Sequence, residues 1–338
     1  MTQQCITLPD TELLASTLYE YRMTIAVTSK AEGLLYLLSA EPAGCICTRY
    51  RASSPMGISF QDGKLAVGSS MGIQTFRNTS ASRAHAAFAP LSTHHTGAVS
   101  VHEVSWTEDG ALYFANTLFS SICRIDPGCS FTQVWQPPFV FDVAPLDACH
   151  LNGMVADAAG DHIATVLALT GTPSGWRTLP PGNGALIHAR DGVLVDGLDL
   201  PHSPVRQEEN IYFLESGKSC LWCYDTVRKV SRRIFHGRGV FRGLALQRGI
   251  AVIGVSQIRA DSPSSHSFGR LLDVEAAGVL LVDMHSGEQL CHALLPSVKE
   301  ISSLAILPFE RVSMLNTWDP RLLHTYHVRT HEGTLTIE

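Results

Sequence analysis

The sequence predicts an all-β protein: one β-propeller over residues 1–338, with six blades of four antiparallel strands. Three observations carry that expectation. First, His95 to Asp126, HTGAVSVHEVSWTEDGALYFANTLFSSICRID, holds three apolar runs of strand length divided by a TEDG turn and a short polar break, which reads as an antiparallel meander. Second, the phrase recurs as SPMGISFQDGKLAVGSSMGIQTFRN, HLNGMVADAAGDHIATVLAL, PHSPVRQEENIYFLESGKSCLWCYD, VFRGLALQRGIAVIGVS and EISSLAILPFERVSMLN. A period of ~40 to 60 residues marks a ring of repeated units. Third, YRMTIAVTSKAEGLLYLLSAEPAGCICTRY supplies three strands with no inner strand of their own, so a strand from the C-terminal end completes their blade and closes the ring.

Taken in order, the opening MTQQCITLPDTELL reads as a polar lead without an element. It lacks the basic flank and apolar core of a signal peptide, and no apolar segment approaches the ~18 residues of a membrane span. A cytoplasmic protein with no membrane partner is the expectation. The final segment, RLLHTYHVRTHEGTLTIE, also has strand character and would make a seventh blade if it entered the ring; six is preferred. The net charge is −6, and the 25 Lys and Arg residues form no run longer than a pair, so no nucleic acid partner is expected. Nine scattered cysteines, an odd number, suit reduced thiols rather than a disulfide framework. The one CxxC, Cys220 to Cys223, lies in a strand, where residues three apart point to opposite faces.

Propeller geometry brings the residues that open each inner strand to one mouth of the central channel. These are Met56, His102 with Glu103, His150 with Asn152, His202 with Ser203, Arg242 and Glu300. The ends of second strands, including Asn116, rise to the same mouth. So do two long loops, 169–184 and 256–278, and loops of that length are usually functional or mobile. His102, His150 and His202 are read as standing at equivalent points of consecutive repeats. Three imidazoles with open positions suit zinc, iron or copper, in preference to calcium, which wants oxygen ligands. Asn152, Glu103 or Glu300 could supply a fourth ligand, an orienting group or a general base, with Asn152 taken as the ligand and Glu103 and Glu300 as proton-moving groups, and Arg242 is placed to hold a carboxylate or phosphate. Trp176, in a Gly- and Pro-rich loop, would cover a bound ligand, and Asn116 and Ser203 would touch it. A histidine opening a strand also commonly caps backbone, which is the plain alternative. With no GxSxG, P-loop or GxGxxG after a strand, no nucleotide cofactor is expected.

PHSPVRQEENIYFLESGKSCLWCYD resembles a blade of the NHL and gluconolactonase-type propellers (senescence-marker protein, paraoxonase, strictosidine-synthase-like), and Asn152-Gly153 in HLNGMVAD sits at their PNG signature. Over nearly the whole chain the phrases PMGISFQDGKLAVGS, VHEVSW, ALYFANTLFSS, CHLNGM, SGWR, PHSP, SGK, FRGLA and GVS are similar to an uncharacterised bacterial six-bladed propeller family. The gluconolactonase resemblance implies one divalent metal at the top of the channel serving lactone and ester hydrolysis. Asn152 matches a ligand there, whereas His102 and His202 depart from its oxygen ligands. In the closer family the acidic residue after the inner-strand histidine is usually Asp; here it is Glu103.

The resulting expectation is a metal-dependent enzyme acting on a small polar or carboxylated molecule at the mouth, with hydrolysis of a lactone, ester or amide first. Metal-assisted redox, isomerisation or cyclisation in specialised metabolism is the first alternative. A non-enzymatic propeller that binds a ligand or protein is the second.

Overall fold

Successive side chains of an extended strand point to opposite faces. In the strand Lys64–Gly68, Leu65 and Val67 enter one buried cluster and Ala66 another. Leu112 and Phe114 part from Tyr113 and Ala115 in the same way within Leu112–Asn116. Both faces of such a sheet are apolar and both must be covered. A closed ring of sheets does this without leaving an edge sheet exposed.

In the computed structural model six sheets form that ring. It describes residues 5–8, 11–42, 44–257, 274 and 276–315, and the strands Tyr326–Thr330 and Gly333–Ile337. From the channel outward, blade 1 is Ile58–Gln61, Lys64–Gly68, Gly72–Asn78 and His85–His95. Blade 2 is Val101–Trp106, Leu112–Asn116, Ser121–Arg124 and Thr132–Trp135; blade 3 is Leu151–Val155, Ile163–Val166, Gly184–His188 and Gly192–Leu198. Blade 4 is Pro201–Gln207, Asn210–Glu215, Cys220–Asp225 and Val230–His236; blade 5 is Val240–Gln247, Ile250–Ser256, Gly278–Asp283 and Gln289–Leu294. Blade 6 takes its inner strand, Ser303–Leu307, from the C-terminal end and Thr24–Ser29, Leu34–Glu41 and Gly44–Arg51 from the N-terminal end. Ile25 opposite Ile306 and Ala26 opposite Ala305 fix the closure, as the unpaired N-terminal strands foretold.

The core is distributed. Six buried clusters occupy the six interfaces between neighbouring blades, so each blade is held by its neighbours. The interface of blades 5 and 6 carries an addition the sequence reading missed. Residues read as a polar lead form a strand, Cys5–Leu8, and a helix, Glu12–Glu20, whose Leu14, Ala15 and Leu18 are buried on that cluster. Their spacing is the one-sided helical period, hidden in a nine-residue segment with polar flanks.

At the C-terminal end Arg311–Met314 runs parallel to His85–His95 on the outer edge of blade 1. Tyr326–Thr330 and Gly333–Ile337 pair only with each other among the described strands, so the strand-like tail makes no seventh blade. Most of the expected loop 256–278 lies outside the described residues. Cys220 and Cys223 are buried free thiols, both raised first by burial.

Hydroxyl groups of every second blade bind the blade that follows it. Thr117, after the second strand of blade 2, donates to Leu151 O of blade 3 at 2.6 Å. Ser216 of blade 4 donates to Phe241 O of blade 5 at 2.5 Å, and Thr28 of blade 6 donates to Met56 O beside blade 1. The odd blades answer with Gly57, Gly153 and Gly243. A Cβ on Gly57 would lie 2.6 Å from Glu103 Cα, and one on Gly243 2.8 Å from Leu304 N. The ring is thus three pairs of blades, with inner strands meeting backbone to backbone.

A candidate active site at the channel mouth

A bulge interrupts the inner strands of blades 2 to 5, between Val101 and Val104, Leu151 and Gly153, His202 and Val205, and Phe241 and Leu244. Such bulges re-aim side chains at the rims of closed sheets. The residue just before each of three inner strands is left-handed: Ser100 at φ 55°, His150 at 53° and Leu200 at 52°. This register corrects the sequence reading. His102 and His202 are equivalent; His150 takes the place of Ser100 and Leu200, and Asn152 the place of the two histidines.

His102 and His202 make the same bonds. His102 Nδ1 is 3.2 Å from Ser100 O and 2.6 Å from Thr117 Oγ1. His202 Nδ1 is 2.8 Å from Leu200 O and 2.9 Å from Ser216 Oγ. A carbonyl only accepts, and each hydroxyl has its proton on the next blade's carbonyl. Nδ1 therefore carries the proton in both rings. Burial, then the neighbouring His150 and Arg242, hold His102 well below the ordinary imidazole value, so the ring is neutral with its lone pair on Nε2.

His150 is held differently. Its Nδ1 donates to Asp147 Oδ1 at 2.9 Å, and Asp147 Oδ2 accepts from Trp176 Nε1 at 3.0 Å. The Trp176 ring lies 4.2 Å from the His150 ring, and the Arg177 guanidinium lies 4.2 Å from the centre of the Trp176 ring. His102 and His150 meet edge to face at 5.0 Å. Burial lowers His150 against the opposing pull of Asp147. Asp147 was missed by the sequence reading; its signal is its place three residues before His150, within reach of the left-handed turn. Cys149, beside His150, is buried and its thiol is pushed up to about 12 by burial, which removes it as a nucleophile.

Arg242 and Glu300 form an ion pair at 3.1 Å, and the Arg242 charge is felt at both His102 and His150. Asn152 is buried; its Oδ1 accepts from Thr165 and its Nδ2 finds no hydrogen-bond partner. Three expected site residues sit elsewhere. Asn116 is fully buried and spent on the turn that follows it, accepting from Phe119 N and donating to Cys123 Sγ, so it is not placed to touch a ligand. Ser203 Oγ accepts from Gly243 N, and Glu103 Oε1 accepts from Ser303 Oγ, both deeper in the channel. Trp176 packs on His150 rather than standing over open space.

Among the described residues no three His, Cys, Asp or Glu side chains stand close enough together to hold a metal ion. The donor chemistry itself suits one, because a carbonyl or carboxylate on Nδ1 is how imidazole ligands are commonly oriented.

Fold and mouth together define a six-bladed propeller with a histidine-lined channel. The chain belongs to the family described as a domain of unknown function, DUF4915, whose profile matches residues 12–315. Among curated proteins no sequence matches the chain. The chain is similar in structure to one in a nidogen/laminin complex, with TM-score 0.56 and 10% identity over 85% of this chain and 99% of that one. It is also similar to a protein of unknown function from Bacteroides caccae, with TM-score 0.54 and 10% identity over 84% and 98%. A streptogramin B lyase structure overlaps more loosely, at TM-score 0.44 and 13% identity over 68% and 72%. These likenesses speak to the fold alone. No helix among the described residues is long and apolar enough to cross a membrane.

Proposed function

We propose that the mouth is the active site of an enzyme that hydrolyses a small carboxylated ester or lactone, with His150 as general base. The observation that carries this reading is the Asp147–His150 pair, an imidazole held neutral by burial with its Nδ1 proton on a carboxylate. That leaves Nε2 to take a proton, while Asp147 orients the ring and steadies the imidazolium that forms. Water gives its proton to Nε2 as its oxygen attacks the carbonyl; the tetrahedral intermediate collapses, and Nε2 returns the proton to the departing alkoxide. Arg242 supplies positive potential for the substrate carboxylate, and Trp176 with Arg177 shields the pair from bulk water.

A second reading, a metal-dependent version of the same site, is supported by the Nδ1 bonds that orient His102, His150 and His202. Those residues and Asn152 are the donors that would have to draw together, from their separation in this structure, to hold zinc, iron or copper. Such an ion would supply Lewis acidity or an acidified water. The partners proposed are a small molecule, without nucleic acid or membrane, and the place of action proposed is the cytoplasm.

The test is turnover of a panel of carboxylated esters and lactones by protein purified without an affinity tag, with its metal content measured, beside His150→Ala. Turnover of a carboxylated substrate that is lost in the variant supports the reading. Activity unchanged in the variant, or none across the panel with and without added zinc, overturns it. A stoichiometric metal lost in His150→Ala favours the second reading.

A further inference from the structure

Two blades extend beyond four strands. The outer edge of blade 6 takes Cys5–Leu8 antiparallel to Gly44–Arg51, and that of blade 1 takes Arg311–Met314 parallel to His85–His95. Outer edges of this ring therefore accept a fifth strand in either direction. On blades 2 to 5 no described strand pairs with the outer edge. Such an edge presents unpaired backbone N–H and C=O groups to whatever can pair with them.

The four free edges are not alike. The outer strands of blades 2, 3 and 5, Thr132–Trp135, Gly192–Leu198 and Gln289–Leu294, hold no Lys or Arg. Blade 4 ends in Val230–His236, whose Arg232 and Arg233 are exposed, and Arg228, Lys229 and Arg238 stand exposed at its two ends. Five of the chain's 25 Lys and Arg residues thus fall between positions 228 and 238, a stretch without Asp or Glu in a protein of net charge −6. Among the described residues one of the five, Arg228, has a carboxylate partner, Asp225 at 3.3 Å. Arg232 stands across from Cys223 and Arg233 across from Trp222. Directly opposed residues share a face and successive residues alternate, so an arginine flanks the free edge on each side of the sheet. Val227 and Val230 are exposed among these cations.

We propose that the outer edge of blade 4 docks an acidic, extended segment of a partner protein, which adds to the sheet as a fifth strand. Backbone hydrogen bonds along the edge supply affinity. Arg232 and Arg233 select a segment with carboxylates at adjacent positions, since those point to opposite faces, and Val230 offers it an apolar contact. A second copy of this edge is disfavoured, because it would set arginine against arginine. A phosphate chain would meet the carbonyls that alternate with N–H groups along the edge, whereas a peptide strand satisfies both. The negative charge of the rest of the chain repels an acidic partner elsewhere and so directs it here. The inference makes no use of the histidine mouth and stands or falls without it.

The test is an anisotropy titration of the full chain with a labelled peptide of about eight residues, alternating glutamate pairs with valine, long enough to span the seven-residue strand. Binding is expected below about 1 mM, and at least about tenfold tighter than to two controls. One control has lysine for every glutamate; the other is N-methylated throughout, which keeps the charges and removes the donors of the ladder. Arg232→Glu combined with Arg233→Glu is expected to lose at least about tenfold in affinity with its melting temperature retained. Amide hydrogen exchange in Val230–His236 is expected to slow when the peptide binds. Equal affinity for the N-methylated peptide, equal affinity in the double variant, or no binding at about 1 mM would each overturn the proposal. A single-stranded oligonucleotide or polyphosphate bound more tightly than the peptide would also overturn it, by making the edge a site for phosphate chains.

Discussion

Blades 2 and 4 turn the corner into the channel in one way and blade 3 in another. In the first two, a histidine is hung between the carbonyl two residues earlier and a hydroxyl that also grips the next blade. In blade 3 that place belongs to Asn152. The histidine has moved back two residues into a left-handed turn and found a carboxylate instead. The repeating histidines are thus joined to clasps of the ring, while the one that breaks the repeat has the partner a base needs. Residues that recur in every second blade serve closure; the departure from the pattern is where chemistry is to be sought.

The sharpest way to break this contrast is to remove the carboxylate that only blade 3 has. Asp147→Asn keeps the shape but lets the amide present its N–H to Nδ1, favouring the wrong tautomer. If the contrast holds, kcat on any substrate found for the mouth falls by about 10²- to 10⁴-fold, with little change in KM and a melting temperature within a few degrees. A loss of folding with activity per folded molecule unchanged would return His150 to a structural role.

A smaller effect should appear at the clasps. Thr117→Val and Ser216→Ala each strand a buried carbonyl, Leu151 O or Phe241 O, and take a partner from a histidine Nδ1. Each is expected to cost about 1 to 3 kcal/mol in denaturant unfolding, and Thr117→Ser to recover most of it. Similar losses at the two sites would establish the equivalence of blades 2 and 4. A loss at one site only would dissolve it.

How far this was legible in the sequence depends on the kind of signal. The six repeats and the closure by N-terminal strands were legible because apolar alternation and turn residues are local. The alternation of blades was less so: Gly57, Gly153 and Gly243 matter through what approaches them from the next repeat. The histidines stand out in the sequence, yet all three are not equivalent, because strand bulges and a left-handed residue shift register by amounts that spacing does not reveal. Asp147 was hidden for the same reason, since its link to His150 depends on the turn between them. Asn116 was misplaced because a polar residue ending a strand can turn inward to hold the next turn as readily as outward to a ligand. The amphipathic helix Glu12–Glu20 was overlooked for its shortness.

The pH dependence of stability distinguishes the two kinds of histidine more finely, with the smallest expected effect. His102 and His150 are both depressed by burial, so the unfolded chain takes up protons near and below 6.5 that the folded chain refuses. Stability from these two groups is therefore present above that value and falls as the pH drops through it toward their folded values. His102 is lowered further, with no carboxylate to assist protonation, whereas Asp147 opposes the shift at His150. His102→Asn should accordingly flatten the acid limb of a melting-temperature profile more than His150→Asn. Glu103 acts with the opposite sign: raised from 4.5 to about 8, it holds a proton in the folded chain that the unfolded chain has released, and stability from it falls as pH rises between those values. The comparison is cleanest in a Glu103→Gln background, where that slope is absent. If the two histidine variants then change the acid limb equally, the carboxylate in blade 3 makes no difference to its imidazole, and the distinction between clasp and base has no electrostatic content.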